Sequence, residues 1–298
     1  MPTARLGCGH GHSLRWTACL ICARLGQVSN PWIIMNLKLD NKAALVTGST
    51  AGIGFAIALG LVREGAQVIV NGRTQARVDA ALASIRQQVP QAKVEGVALD
   101  LGTAAGCEAI IRRVPTVDIL VNNLGIFEPK PFEQIPDADW QRLFEVNVMS
   151  GVRLSRAYVP GMKERNWGRI IFISSESAVQ IPAEMVHYGM TKTAQVAVAR
   201  GIAEGCAGTA VTVNSVLAGP TASEGVTKFV GALAKEQGTT PQEFEKQFFR
   251  DVRPSSLLKR FVQPEEVAAV VVFACSPEAS AINGAALRAD GGVVKAVL

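Results

Sequence analysis

The chain has 298 residues, 48% of them hydrophobic, which is enough for one large α/β domain or two small ones with a substantial core. No stretch approaches the ~18 consecutive apolar residues that a membrane-crossing helix needs. The formal charge is +5, but Arg5, Arg15 and Arg24 supply +3 of it from an acid-free segment 1–34, leaving +2 elsewhere. With no dense Lys/Arg stripe interleaved with aromatics, this balance argues for a solvated surface and against nucleic-acid binding.

Residues 1–34 differ from everything that follows. They hold Cys8, His10, His12, Cys19 and Cys22. Cys19 and Cys22 with Cys8 and a histidine would suffice for zinc, but the spacing is irregular and no second such pair follows. An Arg-containing, acid-free stretch also suits a transit peptide. The reading preferred here is a disordered or non-native extension ahead of a start at Met35, because Met35-Asn36-Leu37-Lys38 leads directly into the first strand. Residues 35–298 then form one domain. Cys107, Cys206 and Cys275 lie far apart in apolar or small-residue surroundings, as expected of reduced thiols in a cytoplasmic protein.

The first unit pairs a short apolar run, Ala43–Thr47, with a glycine turn and an apolar helical stretch from Phe55 to Val62. Strand, glycine turn and helix is the context in which such a turn cradles a pyrophosphate. Gly48, Ser49, Thr50, Gly52, Ile53 and Gly54 are the candidate cofactor contacts. A second strand, Gln67–Asn71, ends in Asn71-Gly72-Arg73 with no acid. An acid there would accept from ribose hydroxyls; Arg73 instead suits a 2′-phosphate. NADP(H) is therefore the expected cofactor, with NAD(H) as the second option.

A helical stretch over 75–88 leads to a third strand near Lys93–Leu99, followed by Asp100 and Leu101, both assigned to the cofactor side. Asp100 either accepts from an adenine amino group or caps the next helix. The fourth strand, Val117–Val121, runs into Asn122-Asn123-Leu124-Gly125. There asparagine side chains can pin the backbone, and Gly125 allows close approach of a ligand. The pattern over 137–164 predicts one long helix with Asn147 in its interior. Asparagine is unfavourable in that position, so Asn147 is either a tolerated buried polar group or a functional one. Residues 168–192 bring an apolar strand, Ile170–Ile173, then Ser174 and Ser175, and then Tyr188 with Lys192 one helical turn later. That spacing puts a phenol and an ammonium on one face, where the cation favours the phenolate.

Val211–Leu217 is the sixth strand. The segment 221–262 carries two further helical patterns. Val226, Phe229, Val230 and Leu233 share one face ahead of Gly238. Thr240-Pro241-Gln242-Glu243 starts a second helix with Phe244, Phe248 and Val252 on its apolar side. Ala285–Ala289 is a seventh strand, and Asp290-Gly291-Gly292 a turn. The alternation of strands and helices predicts an α/β fold with a parallel sheet and a ligand at the C-terminal strand ends.

Taken in order, Thr47–Gly54, Asn122–Gly125, Asn147, and Ser175 with Tyr188 and Lys192 resemble the short-chain dehydrogenase/reductase family over about 36–296. The resemblance implies a Rossmann-type, doubly wound, seven-stranded parallel sheet in one domain, with 221–262 as a substrate lid. It implies that Tyr188 is the general acid/base and that Ser175, thirteen residues earlier, holds the substrate oxygen. Lys192 would bind the nicotinamide ribose and depress the Tyr188 pKa. Asn147 would hold a water that links Lys192 to solvent. Gly219 and Ser223 would meet the nicotinamide end, where Leu124 replaces the family's usual alanine. Glu176, Ile181 and Met185 are the candidate substrate contacts, with Ile126, Phe127 and His187 nearby. No metal is assigned.

The expected activity is interconversion of a carbonyl and a secondary alcohol with apolar bulk. A 3-oxoacyl thioester on an acidic acyl carrier is one option, for which Lys228, Lys259 and Arg260 would form the docking patch. A homotetramer or homodimer is expected. The alternative is a non-catalytic cofactor-binding sensor or scaffold on the same fold.

Overall fold

The computed structural model describes residues 36–236 and 238–297. The zinc, targeting and start-site readings of the N-terminal stretch lie outside these residues. So do the side chains of Lys228, Phe229 and Leu233.

Seven parallel strands form one sheet in the order β3-β2-β1-β4-β5-β6-β7. They are β1 (Ala43–Val46), β2 (Gln67–Gly72), β3 (Val94–Ala98), β4 (Ile119–Asn122), β5 (Gly168–Ser175), β6 (Val211–Ala218) and β7 (Ala286–Ala289). The interleaved helices are α1 (Gly52–Arg63), α2 (Gln75–Gln88), α3 (Ala104–Arg113), α4 (Asp137–Phe144), α5 (Ser150–Glu164), α6 (Val186–Glu204), α7 (Glu224–Glu236), α8 (Pro241–Asp251) and α9 (Pro264–Ala274).

The central strands are buried on both faces, which is why they read as continuous apolar runs. Their side chains still divide by the two-residue period of a strand. Val46, Ile119, Val121, Ile171 and Ile173 join one core with Ile57, Leu61, Val267 and Val271 of α1 and α9. Leu45, Leu120, Ile170 and Phe172 join the other core with Ile110, Leu154 and Ala199 of α3, α5 and α6. Full burial of each such side chain stabilises by about 1.5–3 kcal/mol. No helix among the described residues is long and apolar enough to cross a membrane.

Strand β1 pairs with both β2 and β4, so the chain reverses its direction of travel across the sheet at β1. The crevice outside the C-terminal ends of β1 and β4 is where a doubly wound sheet receives its ligand. The glycine turn after β1 and Asn123 after β4 both lie there.

The stretch expected as one helix over 137–164 is divided. Residues Glu145–Met149 form a π-turn between α4 and α5, with Asn147 inside it. A π-turn widens the helix and releases a main-chain carbonyl from its usual partner. The oddly placed asparagine marks that turn.

Candidate active site

The glycine turn is a tight cradle. Gly48 and Gly52 have φ of 60° and 55°, the left-handed region in which a side chain is strained. A Cβ on Gly54 would lie 2.4 Å from Asn123 Nδ2 and 2.6 Å from the Gly48 carbonyl oxygen. Asn123 Nδ2 donates to the carbonyls of Thr47 (2.9 Å) and Gly48 (3.1 Å), so the asparagine braces the turn as its sequence position suggests. Asn71, at the end of β2, adds a second brace. Its Oδ1 accepts from Gly48 N at 3.1 Å, and its Nδ2 donates to Val97 and Leu99 carbonyls at 3.2 and 3.1 Å.

A groove of about 770 Å³ runs from this turn and is lined by Gly48, Thr50, Gly52, Arg73 and Leu101, among others. Its volume and its bare glycine backbone at a helix N-terminus suit a dinucleotide. Arg73 lies in the groove wall and is exposed, and no hydrogen-bond or ion-pair partner is recorded for it among the described residues. Two of the candidate contacts are not among the residues that line the groove. Ser49 is fully buried; its hydroxyl donates to the Val46 carbonyl at 2.6 Å and accepts from Asn71 N at 2.9 Å, so it serves the turn and does not face the groove. Asp100 does not line the groove either. Its carboxylate accepts from Gly102 N at 3.0 Å in a local turn, and Thr103, accepting from Gly106 N at 3.0 Å, is the cap of α3.

A second cavity, of about 420 Å³, holds Ser175, Tyr188, Lys192 and Gly219. Ile53, Asn123, Gly125 and Ser223 line both spaces, so the groove and the cavity are continuous at these residues. Ser175 is the last residue of β5, and Tyr188 and Lys192 lie in the first two turns of α6. Ser174, by contrast, donates its hydroxyl to the Lys192 carbonyl at 2.8 Å and so anchors α6 to β5. Val226, Val230, Phe244, Phe248 and Val252 from α7, α8 and the residue after it form the roof. Gly238 has φ 65° just beyond α7, and Thr240 caps α8 by accepting from Glu243 N at 3.2 Å.

Of the candidate substrate contacts, Glu176 and Met185 line the cavity. Ile181 does not. It packs over Gly189, where a Cβ would stand 2.7 Å from Ile181 Cγ2. His187 also points elsewhere, edge-on to Trp140 with centroids 5.8 Å apart, and burial holds its pKa below the usual value, so the imidazole is neutral.

The Lys192 ammonium donates to the Ile173 carbonyl at 2.9 Å and to Gln195 Oε1 at 3.1 Å, and it stands 5.5 Å from the Tyr188 ring centroid. Burial lowers its pKa to about 8, partly offset by the Glu176 charge. Burial and nearby groups together set the Tyr188 pKa. The Tyr188 ring opens partly onto the cavity, but burial of its hydroxyl, together with the Glu176 charge, pushes its pKa well above the ordinary value, while Ser175 and Arg253 pull it down. At neutral pH the phenol is a proton donor.

The Asn147 side chain is fully engaged by neighbouring protein groups. Oδ1 accepts from Ile126 N at 2.8 Å, and Nδ2 donates to the Ile126 carbonyl at 2.9 Å and to Thr191 Oγ1 at 3.0 Å. Its carbonyl, released by the π-turn, accepts from Gln195 Nε2 at 2.6 Å. Buried Gln195 thus connects Asn147 to Lys192 directly through its two amide ends. Sequence reading missed it, although it lies three residues after Lys192 and so on the same helix face. Gln195 is a positioning residue for the ammonium. A role for Lys192 as a cation predicts that activity falls as pH rises through about 8. Gln195→Leu removes an acceptor that favours the charged form, and the alkaline limb of kcat/KM for the cofactor should move to lower pH. A limb that stays in place would separate Gln195 from Lys192.

Arg253 was also missed. Its Nε donates to Glu176 Oε1 at 3.0 Å, and a terminal nitrogen donates to Glu184 Oε1 at 3.1 Å and to the Val252 carbonyl at 3.0 Å. The Glu176 carboxylate also accepts from the Ser175 hydroxyl, from Ser177 N at 2.9 Å and from Ser177 Oγ at 3.2 Å. A buried ion pair therefore fastens the end of α8 to the turn that follows Ser175.

The sequence profile of the short chain dehydrogenase family matches residues 42–232. The chain is 51% identical over 263 residues to an uncharacterized oxidoreductase, YvaG, of Bacillus subtilis, covering 88% of this chain and all of that protein. It is 35% identical over 260 residues to the D-beta-hydroxybutyrate dehydrogenase of Cupriavidus necator, covering 86% and 99% of the two chains. The fold is similar to that of L-sorbose reductase from Gluconobacter frateurii complexed with NADPH and L-sorbose, with a TM-score of 0.82 at 32% identity over 88% of this chain and 100% of that one. With the glycine turn, the buried Asn147 and the Ser175, Tyr188 and Lys192 cavity in one structure, the chain belongs to the short-chain dehydrogenase/reductase family of oxidoreductases.

Proposed function

We propose that the chain is an NADP(H)-dependent oxidoreductase that interconverts a carbonyl and a secondary alcohol. The meeting of Ser175, Tyr188 and Lys192 in a cavity continuous with the glycine-turn groove carries this reading. A nicotinamide cofactor in the groove would supply or accept the hydride. The chain handles oxygen and proton. The Ser175 hydroxyl, which donates to Glu176 in this structure, turns to hold the substrate oxygen, and the Tyr188 phenol donates its proton as the carbonyl becomes an alcohol. The Lys192 charge stabilises the phenolate left behind. In the reverse direction the same groups return the proton. Helices α7 and α8 act as a lid that keeps water from the reacting atoms.

The unpaired Arg73 and the lack of an acid at the end of β2 support the phosphate-bearing cofactor, and the NADPH in the L-sorbose reductase complex agrees with it. An acyl-carrier-linked substrate gains no support from the proposed basic patch. Arg260 is bound by both ends to Glu266 at 2.8 Å, and Lys259 donates to the Pro254 carbonyl at 2.7 Å.

NADPH oxidation across a panel of ketones, run beside NADH, tests the reading; absence of turnover with every ketone and every matching alcohol would sink it. Arg73→Glu should raise the KM for NADPH about tenfold or more, since a charge-assisted hydrogen bond contributes about 1.5–3 kcal/mol, and should spare NADH. An unchanged ratio of the two cofactors would remove Arg73 from phosphate binding.

A further inference from the structure

We propose that Arg253 is a substrate ligand, and that the substrate carries a second acceptor oxygen, that of an ester or a further carbonyl, about two to four bonds from the reacting carbon. This rests on the oxidoreductase reading above and narrows it.

The Arg253 side chain is 9% exposed and forms part of the cavity wall. Its guanidinium carbon stands 5.9 Å from the centroid of the Phe248 ring, which lines the same space. A guanidinium offers five N–H donors in one plane. Nε donates to Glu176 Oε1 at 3.0 Å, and Nη1 donates to Glu184 Oε1 at 3.1 Å and to the Val252 carbonyl at 3.0 Å. Nη2 has no hydrogen-bond partner among the described residues. Two donors on a charged group held nine-tenths out of water call for an acceptor.

The direction of Nη2 follows from the planar fork. Nε and Nη2 share one edge of the guanidinium, and Nε points at Glu176. The other oxygen of that carboxylate accepts from the Ser175 hydroxyl. Two hydrogen bonds and the width of one carboxylate put Nη2 roughly 5–7 Å from Ser175 Oγ. The Arg253 charge also pulls down the Tyr188 pKa, so the guanidinium lies within electrostatic reach of the reacting phenol. A ketone oxygen held by Ser175 and Tyr188 therefore leaves Nη2 facing an atom a few bonds along the substrate. The charges of the described lining balance, Glu176 and Glu184 against Arg253 and Lys192, so the subsite reads an acceptor and not a net charge. Beyond it, Phe127, Met185, Val226, Phe244 and Phe261 offer apolar surface to the remaining chain.

Two pairs of ketones test this with NADPH and the full-length protein: ethyl 4-oxopentanoate against 2-octanone, and ethyl 5-oxohexanoate against 2-nonanone. Chain length is the same within a pair, and the ester is too far from the ketone to activate it appreciably. An apolar wall alone favours the alkanone, which buries more apolar surface. With Arg253 as a ligand, the ester should have the higher kcat/KM, by about tenfold or more in the better-fitting pair, the effect of one hydrogen bond to a charged group. Arg253→Lys keeps a cation for Glu176 and lacks the second terminal nitrogen, so the ester-to-alkanone ratio should fall about tenfold. The comparison in the native protein stands whether or not that variant folds. Alkanones preferred in both pairs would overturn the subsite and leave the oxidoreductase reading in place. An ester preference that survives in Arg253→Lys would overturn the role of Arg253. Should the protein reduce other ketones but none of these four, the inference fails alone. Should it turn over no ketone and no matching alcohol, the functional reading fails with it.

Discussion

Tyr188→Phe is expected to lower kcat by about 10²–10⁴-fold, the usual contribution of a positioned proton donor, while NADPH affinity stays near its native value. The substitution deletes one hydroxyl and keeps the ring. The edge-to-face contact with Phe127, at 6.2 Å between centroids, and the Lys192 ammonium 5.5 Å from the ring both persist. Single-turnover NADPH oxidation with a neutral ketone measures the chemistry, and a fluorescence titration measures cofactor binding. The chain supplies its own control, because it has two tyrosines. Tyr158 is buried, and its hydroxyl donates to the Val114 carbonyl at 2.8 Å. Tyr158→Phe should cost about 0.5–1.5 kcal/mol of stability and no catalytic rate. Near-full turnover in Tyr188→Phe would remove Tyr188 from its role. The pH dependence separates the phenol from its neighbour. With its pKa raised, Tyr188 stays protonated across the neutral range, so the fall in activity near pH 8 belongs to Lys192, whose pKa burial lowers to about 8.

Much of this arrangement could be read from the residues because the informative signals are local. Buried parallel strands announce themselves as apolar runs, and a glycine turn between strand and helix suits a phosphate-bearing ligand. Asn147 was conspicuous as an asparagine inside a helical pattern, and the structure supplies the reason, a π-turn whose freed carbonyl meets Gln195. What could not be read depends on partners distant in sequence. Glu176 and Arg253 are 77 positions apart, and nothing in either neighbourhood names the other. Ser49 belongs to the glycine turn by sequence, yet its rotamer sends the hydroxyl to Val46 and its oxygen to Asn71. Ile181 is apolar and lies between the catalytic serine and tyrosine, but the loop directs it onto Gly189. Side-chain direction in irregular segments follows from tertiary packing and not from spacing.

The Arg253 clasp carries the largest stability effect expected here. Arg253→Met keeps the side-chain bulk and removes the charge, leaving the Glu176 carboxylate without its cation in a site where its side chain is 5% exposed. Removing one member of a buried ion pair costs about 3–5 kcal/mol, because the remaining charge loses its partner without regaining water. For a chain of this size that corresponds to a fall in melting temperature of about 6–20 °C. The loss should reach catalysis as well, since the same carboxylate accepts from the Ser175 hydroxyl and Arg253 fastens the end of α8 to that turn. Glu176→Gln combined with Arg253→Met removes both charges together. If the pair acts as a unit, the double variant should be more stable than Arg253→Met alone, with a coupling of about 0.5–3 kcal/mol in a double-mutant cycle. Additive losses would mean that Arg253 stabilises α8 through its guanidinium over the Phe248 ring, 5.9 Å from the guanidinium carbon to the ring centroid, and not through Glu176. A fully recovered melting temperature with unrecovered kcat would instead assign Glu176 to the orientation of Ser175. Stability and turnover together thus separate the two tasks that this one carboxylate performs.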